Sequence, residues 1–140
     1  MKTTVKWKGM RLFQGIAESG HAIIMDGPVK FGGQDAGPRP MELLLVGLGG
    51  CTAYDVVTIL EKKRLDLAGL EVELEADRAD AHPKVYTEIR VHFKISGRNI
   101  PEKAVQQAIE LSENKFCSAS AMLKATAEIK ITYEIKDLED

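Results

Sequence analysis

The sequence predicts an α+β chain, and three observations carry that prediction. Three segments alternate strictly between apolar and polar side chains. One stretch near the middle is apolar on almost every side of a helix. Strands and helices also cluster by type instead of alternating one for one.

The elements follow in chain order. Thr3 to Lys8, Arg11 to Glu18 and His21 to Asp26 are short strand-like runs, punctuated by Gly9, Gly15, Gly20 and Gly27-Pro28. Residues 31 to 40 read as loop, with Gly32-Gly33, Gly37-Pro38 and Pro40. A long helix is expected from Pro40, where proline suits the first turn, to about Arg64. Its first half is apolar around nearly the whole circumference, the pattern of a central, buried helix. Lys62, Lys63 and Arg64 close it at the negative end of the dipole.

Two strands follow. Leu70, Val72, Leu74 and Ala76 interleave with Glu71, Glu73 and Glu75. Val85, Thr87, Ile89, Val91, Phe93 and Ile95 interleave with Tyr86, Glu88, Arg90, His92 and Lys94. A helix is expected from Pro101 to about Lys115 and a short one over Ser118 to Lys124. Ile129, Ile131, Tyr133 and Ile135 form the last alternating strand. One apolar and one wet face per strand indicates antiparallel sheet covered on a single side.

At 140 residues, with 44% hydrophobic and 29% charged side chains, the chain reads as a single domain over 1–140. That composition excludes disorder, a disulfide-stapled miniprotein and a collagen-like repeat. A net charge of −2 gives no basic surface, so nucleic acid is not an expected partner. The apolar run Leu43 to Gly50 falls well short of the ~20 residues that cross a bilayer. Met1 to Lys6 lacks the apolar core of a signal peptide. The expectation is a cytoplasmic protein without a membrane partner, and a chain of this size is compatible with an obligate dimer.

Cys51 and Cys117 are the only cysteines. Two thiols are too few for a structural zinc site, and a stable disulfide is disfavoured in the cytosol. They are either inert buried side chains or a redox pair. Cys51 follows Gly47, Gly49 and Gly50, each costing roughly 1 kcal/mol against alanine inside a helix. Either close helix packing or close approach of a substrate offsets that cost. Cys117 precedes Ser118-Ala119-Ser120 at the start of a short helix, where unpaired N–H groups favour a thiolate.

Other candidates have simpler explanations beside the chemical ones. Glu42 suits the helix dipole one turn into the long helix. It lies nine positions before Cys51, about half a rotation away and ~13 Å along the axis. One straight helix cannot join the two in one site. Arg39, between Pro38 and Pro40, and Arg11, in the first hairpin, are cations able to lower a thiol pKa, or ordinary surface charges. Asp55, four after Cys51, shares its helix face and is placed to accept a hydrogen bond. His21, His82 and His92 have no ligand-like spacing, so neither a metal nor a cofactor is expected.

Gly37-Pro38-Arg39-Pro40-Met41-Glu42-Leu43-Leu44-Leu45 with Gly49-Gly50-Cys51-Thr52-Ala53-Tyr54-Asp55-Val56-Val57 resembles the first cysteine motif of the OsmC/Ohr family. These are the osmotically inducible and organic hydroperoxide resistance proteins. Ser112 to Ala121, centred on Cys117, resembles the second motif, and the small YhfA-like branch is the most similar. The resemblance implies an intertwined homodimer, with antiparallel sheets wrapped around long central helices and two sites at the interface. It implies thiol-dependent reduction of organic hydroperoxides, with Cys51 peroxidatic, Cys117 resolving and an external dithiol as reductant. The family glutamate follows the motif proline directly. Met41 holds that place here, and Glu42 comes one residue later, rotated by about 100°. The family arginine comes from the N-terminal hairpin, the region of Arg11. The alternative is a non-enzymatic, small-molecule or lipid-binding dimer on the same scaffold, for which the two sulfurs stand apart.

Overall fold

The computed structural model describes residues 1–138. The chain forms two compact units, Met1–Val46 and Gly47 onward.

The first unit is a three-stranded antiparallel meander, β1 (Thr4–Trp7), β2 (Phe13–Ile16) and β3 (Ala22–Met25). Gly9 and Gly20 sit at its two turns with φ of 100° and 87°, a region glycine enters without steric cost. The loop after β3 winds around one buried carboxylate. Asp26 accepts the backbone N–H groups of Gly27, Gln34 and Ala36 at 2.7, 3.2 and 3.1 Å. Burial opposes its ionised form. These donors, helped by the Arg39 charge, outweigh burial and hold the carboxyl below its ordinary range. Gly33 completes the turn, since a Cβ there would stand 2.0 Å from the Gly27 carbonyl oxygen.

Helix α1 (Pro40–Lys62) begins on one half of a capping box. The Glu42 carboxylate accepts the Arg39 backbone N–H at 2.8 Å. Within the chain only one stripe of α1 is buried, Leu48, Gly49, Thr52, Val56 and Leu60, spaced by whole turns. Leu44, Val46 and Tyr54 are exposed. The expected helix buried on all sides is therefore covered on one side by its own chain. By length and composition α1 could also cross a membrane. Its buried stripe carries Thr52, whose hydroxyl is hydrogen-bonded inside the second unit, and this suits a core helix.

The second unit carries β4 (Asp66–Arg78), β5 (Tyr86–Arg98), α2 (Glu102–Leu111), a π turn (Ser112–Phe116), α3 (Ser118–Leu123) and β6 (Glu128–Asp137). Strand order is β4-β5-β6. The expected antiparallel pairing holds for β4 with β5, while β6 runs parallel to β5. The chain reaches β6 through α2 and α3, a crossover of the length that parallel neighbours require. Ile89, Val91, Phe93 and Ile95 on the inner face of β5 are each at most 2% exposed and form the core with Leu48, Val56, Leu60 and Val105. Gly49 lets the helix approach β4, because a Cβ there would stand 2.7 Å from Leu74 Cδ1. Gly47 and Gly50 have open space instead. Close packing thus accounts for one of the three glycines before Cys51.

A candidate thiol site between α1 and the π turn

Cys51 and Asp55 stand one turn apart on α1, next to the buried stripe. Helix α2 ends at Leu111, and the next five residues wind more widely. The Cys117 N–H reaches back five residues to the Ser112 carbonyl at 2.7 Å. Such π turns recur at functional sites because they redirect side chains without ending the helix. This one turns the backbone at Cys117 to an extended conformation and starts α3 there, with the Cys117 sulfur accepting the Ser120 N–H at 3.4 Å. The expected position of Cys117 at the start of a short helix is the observed one.

The result is a cluster of three reactive side chains. The sulfurs of Cys51 and Cys117 and a carboxylate oxygen of Asp55 all lie within 4.8 Å of one another. Cys51 is partly exposed and Cys117 is buried. Asp55 is held by a directed chain of hydrogen bonds. Ser112 donates to Asp55 Oδ2 at 2.9 Å, and having one proton to give, it accepts from the Thr52 hydroxyl at 2.9 Å. Ser112 and Thr52 are buried, and both are satisfied within this chain of bonds. On the far side of α3, Ser120 donates to Glu113, which also pairs with Lys124.

The two thiols differ in environment. Burial, then the hydrogen bond to Cys51, pushes the Cys117 thiol up to about 12. The charges of Cys51 and Asp55 add to this, and the Ser120 N–H pulls the other way. Cys117 therefore keeps its proton at neutral pH, while Cys51 is the sulfur within reach of solvent. A hollow of about 150 Å³ adjoins Asp55, lined by Tyr54, Thr58, Ile59, Lys62 and Phe116. A larger open groove of about 900 Å³ takes in Gly50, Tyr54 and Glu61 but neither sulfur. Two thiols and one carboxylate also offer three donor atoms to a cation, and a cation bound there would have to displace the Cys117 proton.

Of the other sequence candidates, Glu42, Arg39, Arg11 and His21 belong to the N-terminal unit and His92 to β5, and each has local partners. Glu42 caps α1. The Arg39 guanidinium bonds Asp35 at 2.6 Å and the Gly37 carbonyl at 3.1 Å. Arg11 donates to the Met10 carbonyl at 3.0 Å. His21 bonds Ser19, and His92 bonds Thr132 and Glu134. Sequence reasoning missed the link from Ser112 to Asp55. Its one signal is that Thr52 and Ser112, two small hydroxyl residues, each lie close to a cysteine in the sequence.

Comparisons with known proteins bear on this arrangement. Residues 32–132 match the family model described as OsmC-like protein. Protein YhfA of Escherichia coli K12 is 41% identical over 135 residues, covering 96% of this chain and 98% of that protein. A crystal structure of a hypothetical protein from Aquifex aeolicus VF5 superposes with a TM-score of 0.86 at 34% identity, covering 99% and 97% of the two chains. An organic hydroperoxide resistance protein from Elizabethkingia anophelis shares the fold at a TM-score of 0.72 and 17% identity, covering 96% and 94%.

Proposed function

The chain belongs to the OsmC-like family, and on that premise we propose that it reduces organic hydroperoxides through Cys51 and Cys117. The observation that carries this reading is the convergence of the two sulfurs, 66 positions apart in sequence (117 − 51), within 4.8 Å. A dimer that only binds a ligand has no need of that approach.

In the proposed cycle the Cys51 thiolate attacks the distal peroxide oxygen. The O–O bond breaks, the alkoxide leaves and takes up a proton as the alcohol, and Cys51 becomes a sulfenic acid. Cys117 then condenses with it, releasing water and forming a disulfide, which an external dithiol reduces by exchange. Cys51 is the attacking sulfur because it is partly exposed, and Cys117 is buried and protonated. The hollow walled by Ile59 and Phe116 suits an alkyl substrate. The charge beside the pair within the second unit is the Asp55 carboxylate.

The same reading includes a homodimer. Tyr54 on α1, and Val5, Trp7, Ile23, Ile24 and Phe31 in the N-terminal unit, are exposed apolar side chains that a partner chain would cover. Light scattering is expected to give twice the 15.4 kDa chain mass, and a monomer would remove this part of the proposal.

The chemistry is tested by a stoichiometric pulse of cumene hydroperoxide followed by intact-mass measurement. The expected product is the chain lighter by two hydrogens, with Cys51 and Cys117 joined in one tryptic pair. An unchanged mass would defeat the reading.

A further inference from the structure

The thiol that closes the disulfide is the one least able to ionise, so a base has to accept its proton. We propose that Asp55 is that proton acceptor: as the Cys117 sulfur attacks Cys51 and expels a leaving group, the Cys117 proton passes to the Asp55 carboxylate.

Three observations support the assignment. A carboxylate oxygen of Asp55 lies within 4.8 Å of both sulfurs. The carboxylate is held from behind, because Ser112, itself fixed by Thr52, bonds Oδ2 at 2.9 Å, and Oδ1 has no hydrogen-bond partner among the described residues. The remaining charged groups are committed elsewhere or lie outside the cluster. Glu113 of the π turn is occupied by Ser120 and Lys124, and Tyr54 and Lys62 line the hollow on the outer side of Asp55.

In the hydroperoxide cycle, where the inference rests on the reading above, the step balances as follows. The Cys117 sulfur supplies the electron pair of the new S–S bond, and the S–O bond of the Cys51 sulfenic acid breaks. Asp55 takes the thiol proton and hands it to the departing hydroxide, giving water.

The same carboxylate also disfavours the Cys117 thiolate through its charge. Removing it therefore separates two roles by sign. If Asp55 only keeps Cys117 protonated, Asp55→Asn makes ionisation easier and speeds disulfide closure. If Asp55 accepts the proton, the same substitution slows it.

The test uses an aromatic disulfide, dithiodipyridine, and needs no peroxide. Cys51 attacks it, forming a mixed disulfide and releasing one thiopyridone. Cys117 then attacks the mixed disulfide and releases a second, the thiol proton ending on the thiopyridone. Stopped-flow absorbance resolves the two phases. In the wild type the second phase is expected to be nearly flat between about pH 6 and 8, because the Cys117 proton leaves during the attack and no prior thiolate is needed. In Asp55→Asn it is expected to fall on the order of 10²-fold at neutral pH. It should then climb about tenfold per pH unit, because the rate now follows the thiolate fraction. Asp55→Glu should recover the flat profile, and Ser112→Ala, which releases the carboxylate, should fall between. A wild-type far-ultraviolet circular dichroism spectrum and a cooperative thermal melt show that the Asn variant is folded. If it is not folded, the Glu and Ala profiles decide. A second phase in Asp55→Asn as fast as wild type or faster, or a wild-type profile already rising tenfold per pH unit, would overturn the inference. Failure of cumene hydroperoxide to oxidise Cys51 would instead defeat the peroxidase reading and leave this measurement standing.

Discussion

Cys51→Ser is expected to reduce the turnover of alkyl hydroperoxide by the protein and a dithiol to the uncatalysed background, a loss on the order of 10³-fold or more, as removal of a nucleophile ordinarily costs. Cys117→Ser should behave differently. Its Cys51 remains free to attack, so one equivalent of peroxide is consumed at close to the wild-type rate. The product then stalls as a sulfenic acid, and excess peroxide carries it to the sulfinic state. The contrast follows from geometry, since the exposed sulfur meets the substrate and the buried one meets only its neighbour. Peroxide consumption and intact mass, followed in parallel for both variants, check it. Equal steady-state rates for wild type and Cys51→Ser would remove the cysteine pair from the reaction altogether.

Phe93→Ala is expected to cost about 3–5 kcal/mol, because the side chain is fully buried and an alanine leaves a cavity as well as lost apolar contact. Phe93 sits in the middle strand, in register with Val72 of β4 and Tyr133 of β6, so the cavity opens at the centre of the second unit. The melting temperature should fall by roughly 10 °C or more. Denaturant unfolding of the reduced protein measures it, and a loss below about 1 kcal/mol would show that this sheet face is not the core.

Much of this was legible in the sequence because it is local. A period of two over residues 85 to 95 marks β5, and Pro40 marks the start of α1. The two cysteine motifs single out the sulfurs that meet. What was not legible depends on the partner. Alternation along Ile129, Ile131, Tyr133 and Ile135 is the same in a parallel as in an antiparallel strand, so the direction of β6 has no side-chain signal. Residues Ser112 to Phe116 continue the helical pattern of α2, since a five-residue hydrogen-bond step leaves no imprint on composition. The bond from Ser112 to Asp55 spans 57 positions, beyond any local rule. Glu42 was visible as a charge near a helix start. Its capping role was less visible because Arg39 stands where a capping box usually has serine or threonine. Asp26 has a local signal, since an aspartate before Gly27-Pro28 and a glycine-rich loop marks a turn.

The sulfur of Cys117 has a second occupation, as the group that accepts the Ser120 N–H at the first turn of α3. A bond of ~2 Å to Cys51 draws that sulfur toward α1, in competition with its hold on the amide. Each oxidation would then unfasten a six-residue helix at one end, and each reduction would fasten it again. The Ser120 amide should exchange its hydrogen with solvent faster in the oxidised chain, so the oxidation state of the pair is reported by the breathing of the backbone beside it.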